Sequence, residues 1–156
     1  MNYRFSPIKN EQKLREAVDY VAKQTTLLCK KITGNEYPIR YLTIFSHYAE
    51  EFSDLRQIVE SLGQIVDANN GYAVKLKNPI QLANGELEKI RIRKPDRERP
   101  QVGCNDFAIP DYELFKKTQL LNHPNNLRLI ERPGYEMIEF FDPEFDILAY
   151  AVSKKL

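Results

Sequence analysis

The chain has 156 residues, 42% of them hydrophobic, and a formal net charge of +1. Its length fits one domain or two small modules sharing a core, and its apolar content excludes the disordered class. The near-neutral charge excludes a global field that would draw in nucleic acid or an anionic membrane.

No apolar run approaches the ~20 residues of a membrane span. The opening MNYRFSPIKNEQKL has no apolar stretch of the secretory kind. Two cysteines, Cys29 and Cys104, are too few for a disulfide framework and are not spaced as a zinc site. A cytoplasmic protein is the expectation.

Residues 11–33 place Leu14, Val18, Val21, Leu28 and Ile32 at helical spacing. Asn10 can cap the start of that helix, and Gly34 can end it in the left-handed conformation. RYLTIFSH (40–47) is β-branched and aromatic and predicts a strand. EEFSDLRQIVESLG predicts a helix with Phe52, Leu55, Val59 and Leu62 on one face and Gly63 as its stop. Three strands follow, at 64–67, 71–77 and 87–94, separated by the turns ANNG and NGE. KPDRERP (94–100) reads as a linker.

The pattern then starts again. QVGCNDFAI (101–109) predicts a strand, and 111–121 a helix with Leu114, Phe115 and Leu121 inward. LRLIE (127–131), YEMIEFF (135–141) and DILAYAV (146–152) predict three more strands. The order is a helix, then βαβββ, then βαβββ, a repeat of roughly 50 to 60 residues in element order rather than in identity. The divisions are 1–38 for the helical extension, 39–96 for the first module and 97–156 for the second, all within one compact domain.

FFDPEFDILAYAV resembles the closing hairpin F-x-D-P-[DE]-G-N-x-[IL]-E-[IL] of the vicinal-oxygen-chelate superfamily, which includes glyoxalase I and the extradiol dioxygenases. NGYAVKLKNPIQL, IRKP and the N-terminal helix resemble its bacterial YecM-like group more narrowly. The resemblance implies an α+β fold in which two βαβββ modules form a curled, barrel-like mixed sheet with a cleft between them. It also implies a divalent metal held by His and Glu from the first and last strand of each module, acting as a Lewis acid.

At the positions the resemblance assigns to those ligands, this chain carries Tyr41, Arg93, Cys104 and Ala149. A phenol, a guanidinium and a thiol make no ordinary hard divalent site, and a guanidinium repels the ion. The expectation is therefore a site without metal or other cofactor. The alternative is a metal-dependent lyase, isomerase or dioxygenase holding zinc, iron, nickel or manganese through reserve residues His47, Asp106 and Glu139. A structural protein with an empty cleft is a third reading.

Arg91 and Arg93 are two residues apart on one strand face and could grip a carboxylate or phosphate as a fork; the alternative is a solvated face paired to Glu88 or Asp106. Tyr41, Thr43 and Phe45 alternate onto one face, where Tyr41 is either a hydrogen-bond donor to a ligand or plain lining. Cys104 is either a nucleophile, if Arg93 lowers its pKa, or a small buried residue. Asp106 is either a general base or an arginine partner. The candidate ligand-binding set is Tyr41, Arg91, Arg93, Cys104 and Asp106. His47 at a helix entry is expected to be exposed, His123 to punctuate a turn, and Glu139 to point into the cleft with Met137 and Phe141. The expected partner is a small carboxylate or phosphate, with neither nucleic acid nor membrane; tyrosine-rich edges of an open sheet are compatible with a homodimer.

Overall fold

A computed structural model describes residues 2–68 and 71–153. Asn69 and Asn70 of the ANNG turn lie outside the described residues. Helix α1 spans Glu11–Thr33, capped as its sequence demands. The Asn10 side chain accepts from the Lys13 N–H, and Gly34, at φ 78°, donates its N–H to Lys30 O. Its stripe from Leu14 to Ile32 is buried.

The remaining elements are β1 (Ile39–Phe45), α2 (Ala49–Leu62), β2 (Gly63–Asp67), β3 (Tyr72–Leu82) and β4 (Gly85–Arg93), then β5 (Gly103–Phe107), α3 (Tyr112–Asn122), β6 (Leu127–Arg132), β7 (Tyr135–Phe140) and β8 (Leu148–Val152). All eight strands join one mixed sheet in the order β2-β3-β4-β1-β5-β8-β7-β6. The second half repeats the pairing of the first. β1 lies parallel to β4 and β5 parallel to β8, while β1 and β5 run antiparallel at the centre. The sheet is open, with β2 and β6 at its edges.

Strand alternation divides the side chains between two faces. Leu42, Ile44, Ile90, Ile92, Phe107, Ile138 and Phe140 pack under the helices in the main core. α1 crosses β1, β5 and β8, α2 covers β2 to β4, and α3 touches β6. On the opposite face Phe45, Leu148, Tyr150 and Val152 form a smaller cluster with Met137 and Tyr135 packed against it.

Gly63 stops α2 as expected, in extended backbone, and begins β2 without a turn. Two local readings are corrected. β3 continues through Asn78 and Pro79 to Leu82, beyond the expected 71–77. Its register with β4 shifts between Lys75 and Ile80, where proline's missing donor is tolerated. In α3, Tyr112 and Phe115 are buried, but Leu114 and Leu121 are 56% and 82% exposed. At 100° per residue those two leucines lie to one side of the Phe115 face.

Gly103 sits where β5 meets β1, and a Cβ there would lie 2.2 Å from Thr43 O. That neighbour is backbone at the middle of the sheet and cannot rotate away. Gly103→Ala should therefore cost about 2–3 kcal/mol, seen as a fall of roughly 5–10 °C in the unfolding temperature. Gly134→Ala, with nothing within 4 Å of its Cβ, should cost only the left-handed strain of about 1 kcal/mol. Equal losses at the two sites would refute the steric account.

Candidate functional site

On the helix-free face the register sets two rows of side chains side by side. One row runs Asp67, Ala73, Arg91, Thr43, Cys104, Leu148. The next runs Lys89, Tyr41, Asp106, Tyr150, Glu139, Arg128. Above them lies a cavity of about 580 Å³, within the usual size range of small-molecule sites. Tyr41, Arg91, Arg93, Cys104 and Asp106 all line it, with Asp67, Lys89, Arg99, Arg132, Tyr135, Met137 and Tyr150 among the other lining residues.

Among the described residues, five basic side chains (Lys89, Arg91, Arg93, Arg99, Arg132) face this space against two carboxylates, Asp67 and Asp106. Arg91 is already engaged: its Nε donates to Tyr41 Oη at 2.5 Å and its Nη2 to Asp67 Oδ2 at 3.2 Å. Burial works against its charge, but Tyr41 and Asp67 outweigh that and hold its pKa above the ordinary value. Arg93 lies over the Phe45 ring at 5.6 Å and 3.9 Å from Asp96. Lys89, Arg99 and Arg132 have no ion-pair partner among the described residues. The cationic capacity left for a ligand is therefore greatest on Lys89, from β4, Arg99, from the linker, and Arg132, from the end of β6; of these only the two arginines offer a paired, planar grip on an oxyanion.

Burial, opposed by Arg91, pushes the Tyr41 phenol up. Cys104 is pushed up to about 12 by burial and by Asp106, which outweigh Thr43, Arg93 and Arg99. Arg93 does favour the thiolate, but burial outweighs it, which supports the small-residue alternative over an activated nucleophile. Tyr150 is raised first by burial, then by Cys104 and Glu139. Its hydroxyl donates to Glu139 Oε2 at 3.1 Å, while Arg128 Nη2 donates to Glu139 Oε1 at 2.8 Å. Arg99 Nη1 approaches Tyr150 Oη at 3.5 Å.

Several sequence placements shift. Ala149 belongs to the core under the helices, so it does not face the cavity; Leu148 and Tyr150, its neighbours, take that face. Glu139, 5% exposed, is bound by Tyr150 and Arg128 beside the cavity and is not part of its lining. Phe141 is exposed beyond the end of β7. The His47 side chain is 3% exposed, the reverse of the expectation. It bonds Ser6 Oγ and Gln101 O and stacks on Tyr3, so it ties the N-terminal segment to the fold. His123 closes α3 through its backbone N–H to Gln119 O. Among the described residues no three His, Cys, Asp or Glu side chains converge as metal ligands. The reserve residues His47, Asp106 and Glu139 are not brought together, and the donor set does not fit the divalent ion that the resemblance implies.

The linker arginine Arg99, Arg132 and Tyr150 were not among the candidates. Nothing local marks any of the three, since β8 is buried on both faces.

No family model matches the chain, and no curated protein matches it. A solved structure described as "Structural Genomics, Protein EC4020" superposes with a TM-score of 0.68 at 14% identity, covering 97% of this chain and 92% of that one. At that identity the likeness shows a shared fold and nothing of function. No helix among the described residues is long and apolar enough to cross a membrane.

Proposed function

We propose that the chain is a glyoxalase-like protein of the vicinal-oxygen-chelate type that binds a small carboxylate or phosphate in this cavity without the usual metal triad. The twice-used βαβββ pairing supports the family reading. The observation that carries the ligand reading is the excess of basic over acidic side chains around the cavity. Guanidinium groups bind carboxylate and phosphate through paired, charge-assisted hydrogen bonds.

The test is thermal unfolding with and without added anions. Succinate or inorganic phosphate at about 100 Kd should add about 2.7 kcal/mol, a rise of roughly 5–10 °C, and the neutral diamide succinamide should add nothing. Arg99→Ala should remove most of that rise without lowering the unfolding temperature of the free chain, since Arg99 has no ion pair to lose among the described residues. Chelator should leave both temperatures unchanged. No response to any anion, or an undiminished response in the variant, would sink the reading.

A further inference from the structure

The hydrogen-bond polarity of the cavity says more about its occupant than its charge does. A phenol has one proton and two lone pairs. Tyr150 places its proton on Glu139 Oε2, and that carboxylate is fixed from its other oxygen by Arg128. What Tyr150 turns toward the cavity is a lone pair, approached by Arg99 at 3.5 Å, too long for a strong bond. Tyr41 is the reverse case. It accepts from Arg91 Nε, so its own proton remains to be donated. The cavity thus has an acceptor at Tyr150, and donors on Tyr41 and the arginines.

We infer that the occupant is an anion that also carries a hydroxyl group, with the anionic group on the arginines and the hydroxyl donated to Tyr150; this rests on the anion-binding reading above. A fully ionised carboxylate or phosphate brings no proton to Tyr150, whose oxygen would keep only the long bond from Arg99 at 3.5 Å. An ammonium group could donate, but five basic side chains around the space oppose it. A hydroxyl donates without adding charge.

The test uses matched pairs titrated calorimetrically into the whole chain: malate against succinate, and glycerol 3-phosphate against propyl phosphate. Each pair differs by hydroxylation. The hydroxylated member should bind about fivefold tighter, the worth of one neutral hydrogen bond. Tyr150→Phe should bring both ratios to about one. Glu139→Gln can donate an amide N–H to Tyr150 Oη and free the phenol proton for the cavity, so it should lower the ratios as well. A purely structural Tyr150 would change the unfolding temperature and leave the ratios alone. Equal binding within the pairs, or ratios that survive Tyr150→Phe, would overturn this inference while leaving anion binding intact. If no member of either pair binds, the anion-binding reading falls and this one with it.

Discussion

Glu51→Ala should lower the stability of the chain by about 3 kcal/mol, a drop of roughly 6–12 °C in unfolding temperature. Glu51 stands in the first turn of α2, and its carboxylate is buried. Oε2 accepts from Ser6 Oγ at 2.7 Å and from the Ile8 N–H at 2.6 Å, and Oε1 accepts from the His47 N–H at 2.6 Å. Tyr48, at the helix N-cap, supplies no side-chain bond, so Glu51 reaches back in the manner of a capping box. The same carboxylate pins the segment before α1, whose Ile8 is buried in the core. Alanine would leave the Ile8 and His47 N–H groups without an acceptor, at about 1–3 kcal/mol each, lessened as the segment lifts into water, while Ser6 Oγ keeps His47 Nδ1 as a partner. Thermal unfolding checks the size of the loss. Hydrogen exchange at Ile8 and His47 should accelerate more than in the core strands. Glu50→Ala, one residue earlier and exposed, should cost within about 0.5 kcal/mol. Similar losses at Glu50 and Glu51 would show that the clamp contributes little.

The sequence revealed elements wherever the controlling interactions are local. Asn10 and Gly34 bound α1 because a cap needs only its own helix end. The stripe from Leu14 to Ile32 set the buried face for the same reason. The course of β3 through Pro79 depends on the register with β4, and that is tertiary. α3 was misread on Leu114 and Leu121 because a short helix needs little apolar surface to dock, and Tyr112 and Phe115 supply it.

The same division runs through the site. Alternation placed Tyr41, Arg91, Arg93, Cys104 and Asp106 on shared faces, and the pairing of β1 with β4 and β5 brings those faces together. β8 gave no such guide. All five of its residues are buried, so no polar alternation marks which side is which. The resemblance set Ala149 at the position of the closing glutamate, but a one-residue slip exchanges faces, and here Leu148 and Tyr150 take the cavity side. Arg99 reaches the cavity through the path of a charged linker, and the same residues would read as solvated in any other fold.

Both cysteines should resist alkylation in the folded chain, Cys104 the more so. The reactive species is the thiolate. Cys104 rises from an ordinary value of 9.0 to about 12, and Cys29 from the same value to about 11. Burial is the first cause at both. A raised thiol pKa keeps the neutral form until the pH climbs through the new value, so thiolate is scarce across the physiological range. At pH 8 the Cys104 thiolate should be on the order of a thousandfold rarer than in the unfolded chain. Cys104 retains some exposure to the cavity, so its slowness would report protonation rather than simple exclusion of the reagent. Mass spectrometry of iodoacetamide labelling, native against urea-unfolded and between pH 7 and 9, measures both sites separately. The native rate at Cys104 should be at least a hundredfold lower and should rise about tenfold per pH unit throughout. Arg99→Ala should slow it further, because Arg99 is one of the two cations that favour the thiolate. A fast native rate that levels off near pH 7 would mean that Arg93 and Arg99 overcome burial. The floor of the cavity would then hold a nucleophile beside an anion site, and the chain would be built for covalent chemistry and not for binding alone.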